Sequence, residues 1–138
     1  MAKWCMVDPK PGDHLRVKTG DVYHHAIYIG NGEVVQFGLP FNYLTDASSV
    51  KVIKCPIEDF LHGGFLEVCV YSKKEARGHF KPEVIIQRAL EHLGEGNYSF
   101  IHNNCEHFAN FCIMGKKIST QVDNLRKDIH QLIDANNK

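Results

Sequence analysis

The order of hydrophobic patterns along the chain is the feature that most constrains its fold. Segments rich in β-branched and aromatic residues come first, and amphipathic segments with helical spacing follow after Pro82. Strands followed by helices predict an α+β domain in which an antiparallel sheet packs against helices. The 138 residues fit a single domain, 1–138, which is long enough to bury a hydrophobic core.

Five strands are predicted in the first half of the chain. Each is a short run of apolar residues bounded by turn residues. The predicted strands are 14–17, 23–29, 33–37, 50–53 and 65–71. The second and third are joined by Gly30-Asn31-Gly32 and therefore form a hairpin. Trp4 and Cys5 precede the first strand and are expected to lie in a mobile terminus.

Three helices are predicted in the second half. The first begins at Pro82 and ends at Gly94. The second begins at Asn103 or Asn104, since either asparagine can cap it, and runs to Gly115. The third carries an apolar stripe on one face. The stripe consists of Val122, Leu125, Ile129 and Leu132.

Composition and cysteine usage exclude several classes of protein. Sixteen basic side chains balance sixteen acidic ones, which argues against a protein built mainly to bind nucleic acid. No apolar run approaches the ~20 residues that span a bilayer, and the first residues contain no secretory hydrophobic segment. The five cysteines are an odd number without the dense spacing of a disulfide scaffold. We therefore expect a cytoplasmic protein in which any special cysteine is catalytic or metal-bound.

The segment HNNCEHFANFC carries the sharpest chemical signal. If an asparagine caps the helix, Cys105 lies in its first turn, where unpaired N–H groups and the positive end of the helix dipole favour a thiolate. The same amides are placed to bind an oxyanion when the sulfur attacks an acyl carbonyl. The simpler interpretation is that Cys105 is a small buried residue, as free cysteines usually are.

A nucleophilic cysteine needs a base, and spacing alone does not choose among nine histidines. His107 lies two positions after Cys105 on the helix and therefore faces another direction. His24 and His25 point to opposite faces of a strand, so only one of them can face the cysteine. A zinc site built from Cys105, His107, His24 and His14 lacks the standard ligand spacing.

The hairpin loop decides which histidine shares a face with Gln36. A two-residue turn puts Gln36 on the face of His25. A three-residue loop, 30–32, puts Gln36 opposite Ala26 and on the face of His24, so that it can accept a hydrogen bond from that ring. Turn preference slightly favours the two-residue version, whereas a catalytic role for His24 requires an odd loop.

With these residues in view, the chain resembles the lecithin:retinol acyltransferase-like family. The closer resemblance is to the small phospholipase A/acyltransferases related to the H-Ras-like suppressor proteins. It rests on PGD, on HHAIYIGNG and on NCEHF, and it extends from about Pro9 to the C-terminal helix. The resemblance implies a circularly permuted papain-like core of the NlpC type.

The resemblance also implies three catalytic residues. Cys105 corresponds to the nucleophile and His24 to the general base. Gln36 stands where the family commonly has a second histidine and would orient His24. A neutral amide does so through one hydrogen bond of about 0.5–1.5 kcal/mol, but it does not stabilise an imidazolium as a carboxylate does. No cofactor and no metal are implied.

The implied activity is thiol-dependent acyl transfer from glycerophospholipids through a cysteine thioester. Water as the acceptor gives phospholipase A1/A2 activity, and an amine or hydroxyl gives N- or O-acyltransferase activity. The implied partners are a phospholipid substrate and an acyl acceptor, with membrane contact of a peripheral kind and no nucleic acid. Many relatives carry an apolar C-terminal anchor, whereas this sequence ends in ANNK. That ending predicts a soluble member or an anchor beyond residue 138.

Two other functions stay open, and one loop has two interpretations. The same cysteine–histidine pair opens amides, which would make the protein a cysteine amidase or peptidase. Alternatively, the fold serves as a non-enzymatic interaction module. The long loop 38–49 carries Phe41, Tyr43 and Leu44, which either contact the acyl chain or pack on the surface.

Overall fold

The computed structural model describes residues 3–38, 50–99 and 104–136. The described residues form six strands and five helices. The strands are β1 (Lys3–Cys5), β2 (His14–Thr19), β3 (Val22–Gly30), β4 (Glu33–Phe37), β5 (Val52–Pro56) and β6 (Glu67–Val70). The helices are α1 (Ile57–Leu61), α2 (Lys73–Ala76), α3 (Pro82–Glu91), α4 (Cys105–Met114) and α5 (Thr120–Asn136).

The strands form one sheet in the order β1-β6-β2-β3-β4-β5, and every neighbouring pair is antiparallel. The predicted α+β class with an antiparallel sheet is confirmed. Of the predicted strands, 33–37 matches β4, while β5 begins two residues later than its predicted start at residue 50. The five-residue α1 and the four-residue α2 were not predicted, because elements this short carry little periodic signal.

Two hydrophobic clusters lie on the two faces of the sheet. Because side chains alternate along a strand, Ala26 and Ile27 of β3 belong to different clusters. We call them the α1-side core, to which Ala26 and Phe60 belong, and the α4-side core, to which Ile27 and Ala109 belong. Helix α4 therefore packs on the odd-numbered face of β3, and α1 packs on the even-numbered face.

The hairpin between β3 and β4 combines the turn that the sequence favours with the register that a catalytic His24 requires. Gly30 pairs with Glu33 across a two-residue turn. Ala26 nevertheless pairs with Gln36, because the register shifts by one residue between Tyr28 and Gly30. The odd residue is thus a bulge within β3 rather than a third loop residue. Gln36 and His24 consequently share a face of the sheet.

The two ends of the described chain differ from expectation. The expected mobile terminus is instead strand β1, in which Trp4 pairs with Cys69 of β6 and its ring lies 4.3 Å from the Arg16 guanidinium. At the other end, the predicted stripe of α5 packs only at its start. Val122 is 3% exposed, whereas Leu132 is 66% exposed. No helix formed by the described residues has the length and apolar character needed to cross a membrane.

Candidate active site

The N-terminus of α4 is fixed by an asparagine cap. The Asn104 side-chain oxygen accepts hydrogen bonds from the N–H groups of Glu106 (2.9 Å) and His107 (3.0 Å). In return, the Nδ1 atom of His107 accepts a hydrogen bond from the Asn104 N–H at 3.0 Å. This reciprocal pattern is a capping box with histidine in the position usually held by Glu or Gln. The His107 ring therefore helps to fix the N-terminus of the helix.

The cap changes the expectation for the oxyanion. The first-turn amides were expected to hold the developing negative charge, but those of Glu106 and His107 donate to Asn104. These two N–H groups are consequently not oxyanion donors in this state. The helix dipole still favours negative charge on Cys105, which occupies the first helical position.

Cys105 is buried against the sheet. The residue is 2% exposed and belongs to the α4-side core. Its Sγ atom lies 3.9 Å from the carbonyl oxygen of Tyr23, the residue directly before His24 on β3. The sulfur therefore lies against the backbone of the strand that carries the predicted base.

His24 and Gln36 form a hydrogen-bonded pair in the interior. The His24 Nε2 atom lies 2.6 Å from the Gln36 Oε1 atom and 3.0 Å from the carbonyl oxygen of Gly38, and both side chains are fully buried. A carbonyl oxygen only accepts hydrogen bonds, so Nε2 must carry the proton. The lone pair of the neutral ring is therefore on Nδ1, and this nitrogen is the one that can act as a base.

Burial keeps the His24 ring neutral. Loss of hydration lowers the pKa of His24 to about 4, and the hydrogen bonds to Gln36 and Gly38 oppose this change only in part. The ring also packs 5.5 Å, centroid to centroid, from Phe60 of α1. A neutral imidazole with a fixed tautomer is thus available as a proton acceptor at pH 7.

The structure brings two of the three predicted site residues together. His24 and Gln36 are in direct contact on the α1 side, while Cys105 packs in the α4-side core and contacts β3 at Tyr23. The pairing of the Cys105 sulfur with the His24 ring stays a prediction. The loop residues Phe41, Tyr43 and Leu44 lie outside the described residues.

Sequence reasoning did not predict a second histidine pair. On the α4 face, His25 Nδ1 lies 2.7 Å from His14 Nε2, and both rings are buried. Burial lowers the pKa of each ring well below its ordinary value, and the nearby histidine and the Arg16 guanidinium act in the same direction. Strand alternation predicted that His25 and His24 point to opposite faces of the sheet. The partner of His25, which is His14, is set by the pairing of β2 with β3. The sequence held one signal for this pair. His14 and Arg16 are two residues apart on β2, so their side chains share a face of the sheet, and Arg16 pairs with His25.

A cavity of about 710 Å³ opens on this second face. It lies between the sheet and the helices α4 and α5, and its walls include Trp4, His25, Tyr23, Glu106 and Leu125. The Glu106 carboxylate accepts a hydrogen bond from the Ser119 hydroxyl at 2.9 Å. No group of three His, Cys, Asp or Glu side chains within 3–38, 50–99 and 104–136 could hold a metal ion.

These features define an α+β protein with a cysteine at a helix N-terminus and a histidine–amide pair on the adjoining sheet. The family model for lecithin retinol acyltransferase matches residues 7–118. The chain therefore belongs to the lecithin retinol acyltransferase family.

Three relatives illustrate the range of similarity. Human phospholipase A and acyltransferase 4 is 30% identical, over 88% of this chain and 80% of its own. Human phospholipase A and acyltransferase 3 is 33% identical, over 83% of this chain and 76% of its own. Bovine lecithin retinol acyltransferase is 26% identical over 88% of this chain, which spans only 62% of that relative.

Proposed function

We propose that the protein transfers acyl groups from glycerophospholipids through a thioester on Cys105. The observation that carries the proposal is the hydrogen bonding of His24, whose protonated Nε2 leaves a basic Nδ1 on the strand that Cys105 contacts. The relatives named phospholipase A and acyltransferase support phospholipids as the acyl donors.

The first half-reaction forms the acyl-enzyme. His24 Nδ1 accepts the proton of the Cys105 thiol as the sulfur attacks the ester carbonyl, which becomes tetrahedral. The carbon–oxygen bond of the ester then breaks, and the imidazolium returns its proton to the departing lysophospholipid. Because the pKa of His24 is about 4, the resting imidazole is neutral and can accept the thiol proton.

The second half-reaction releases the acyl group. Neutral His24 takes a proton from the acceptor, whose oxygen or nitrogen attacks the thioester carbonyl and expels the sulfur. Water yields a fatty acid, giving phospholipase A1/A2 activity. A lysolipid hydroxyl or an amine yields a new ester or amide, giving O- or N-acyltransferase activity.

Substrate access requires movement at the site. Cys105 is 2% exposed, so an ester carbonyl reaches the sulfur only when the groups that cover it separate. Contact with a phospholipid surface supplies both the substrate and an apolar phase for its chains, and we infer peripheral contact of this kind.

We further infer that residues 1–138 form one cytoplasmic domain with a circularly permuted papain-like core.

Turnover of phosphatidylcholine by Cys105→Ser tests the proposal. Fatty acid and lysophospholipid release should fall to background, whereas Cys112→Ala should retain turnover because Cys112 is buried two turns later on the same helix. Equal turnover by Cys105→Ser and the unmodified protein would contradict the proposal. A peptide-amide substrate is assayed in parallel, and preferential cleavage of that amide would favour an amidase instead.

A further inference from the structure

We propose that Cys55 is a positioning residue that holds the Gln36 amide in the orientation in which Gln36 accepts a hydrogen bond from His24. This inference rests on the proposed function, because it concerns the base of the same reaction. Cys55 lies on β5, which pairs with β4, and this pairing brings Cys55 close to Gln36.

The contact is direct and buried. The Gln36 Nε2 atom donates a hydrogen bond to the Cys55 Sγ atom at 2.8 Å, while its Oε1 atom lies 2.6 Å from His24 Nε2. Gln36 is fully buried and Cys55 is 9% exposed. The two ends of one amide thus join the cysteine of β5 to the histidine of β3.

The hydrogen bonds that join His24, Gln36 and Cys55 have a fixed donor-to-acceptor direction. The Gly38 carbonyl oxygen fixes the proton of His24 on Nε2, so the Gln36 atom that faces the ring must be an acceptor. The amide NH₂ group must then face Cys55, whose sulfur accepts. A rotated amide would place an N–H donor against the ring N–H, which both groups disfavour. The sulfur therefore holds the amide oxygen against the ring N–H, which supports the tautomer that the Gly38 carbonyl selects.

The surroundings explain why a cysteine suits this position. The side chain lies in the α1-side core together with Val34 and Phe60. Burial raises the pKa of the Cys55 thiol, so the group stays uncharged at pH 7 and adds no charge beside the neutral ring. A thiol is thus both apolar enough for this core and polar enough to accept the amide hydrogen bond.

A double-substitution cycle tests whether Cys55 acts through Gln36. The rates of phosphatidylcholine turnover are compared for the unmodified protein, Cys55→Ala, Gln36→Ala and the double variant. We expect Cys55→Ala to lower kcat about tenfold, as for one lost hydrogen bond, with KM changed less than about twofold. Because the effect passes through the amide, the double variant should be no slower than Gln36→Ala alone.

Two further variants separate positioning from packing. In Cys55→Ser the hydroxyl oxygen accepts the same hydrogen bond, so kcat should return to within about threefold of the unmodified value. Cys69→Ala is the matched control, because Cys69 is also a buried cysteine of the sheet but has no contact with Gln36 among the described residues. It should leave kcat unchanged. Multiplicative losses in the double variant, or equal kcat for Cys55→Ala and the unmodified protein, would overturn the proposal.

A spectroscopic readout stays informative even if the proposed function fails. The 2.6 Å contact predicts a downfield proton resonance for the His24 Nε2–H. Cys55→Ala should move this resonance upfield as the amide, no longer held at its NH₂ end, shifts away from the ring, whereas Cys69→Ala should not. An unmoved resonance in Cys55→Ala overturns the positioning role. Failure of the unmodified protein to turn over phosphatidylcholine overturns only the proposed function.

Discussion

Two adjacent histidines on β3 differ in what fixes their protons. His24 faces the α1 side and is held by two carbonyl oxygens, one from Gln36 and one from Gly38. His25 faces the α4 side and is held by another imidazole, that of His14, at 2.7 Å. Carbonyl acceptors select a single tautomer, whereas two imidazoles can exchange donor and acceptor roles. Burial alone therefore makes a histidine neutral, and its partner decides whether the histidine is a defined base.

The first and largest prediction compares the two rings directly. His24→Gln should lower turnover of phosphatidylcholine by about 10²–10⁴-fold, because the general base is lost. His25→Gln should lower it by less than about tenfold, since the His25 ring is paired with His14 and not with the Gln36 amide. Steady-state rates on folded proteins, verified by their circular dichroism, measure both effects. A larger loss for His25→Gln would reverse the roles assigned to the two residues.

The second prediction concerns stability in acid. The folded pKa of His24 is about 4, below its ordinary value of 6.5, so between these values the unfolded chain binds a proton that the folded chain does not. Stability should therefore fall as the pH falls from about 6.5 to about 4, with His24 contributing on the order of 3 kcal/mol. The lowered pKa values of His14 and His25 act in the same direction.

Urea unfolding at pH 7 and at pH 5 measures this effect. The unmodified protein should lose more free energy of unfolding than His24→Gln does over the same interval. Equal losses in the two proteins would mean that the His24 ring is not held neutral by its surroundings.

The third prediction sharpens the role of the amide. Gln36→Glu places a carboxylate beside the ring, which favours imidazolium and raises the pKa of His24. The acidic limb of kcat/KM should therefore move to higher pH by about one unit or more, because this limb reports the base in the free enzyme. Profiles measured between pH 4 and pH 8 test the shift. An acidic limb that stays in place, or moves to lower pH, would show that Gln36 does not govern the His24 proton.

The smallest predicted effects lie outside both histidine pairs. Leu132→Ser should change the free energy of unfolding by less than about 0.5 kcal/mol, since its side chain is 66% exposed. Val122→Ala should cost more, because Val122 is 3% exposed and belongs to the packed start of the same stripe. Thermal unfolding of the two variants measures the difference. Similar costs at both positions would show that the stripe is packed along its whole length.

Local signals predicted much of the fold. Asn104 and Gly115 bound α4, because the cap and the left-handed glycine act within a few residues of the helix ends. Strand β4 matches its predicted residues for the same reason. Strand β1 was missed because its partner, β6, lies far along the chain, and pairing of this kind leaves no local pattern.

The candidate site was predictable only where spacing determines geometry. Alternation placed His24 and His25 on opposite faces, and the register then put Gln36 beside His24. The bulge that produces this register lies at Ile29, which nothing in the sequence distinguishes from an ordinary strand residue. The contact of Cys55 with Gln36 depends on the pairing of β4 with β5. These strands are separated by a long segment, so no local pattern in the sequence indicates that the two side chains meet.

Trapping of the acyl-enzyme tests the central chemical step most directly. The protein is mixed with phosphatidylcholine carrying an isotopically labelled chain, quenched in acid within one turnover, and digested for mass spectrometry. We predict one labelled acyl group on the peptide that contains Cys105, released by hydroxylamine as expected for a thioester. Label on any other residue, or turnover with no label on Cys105, would contradict the mechanism.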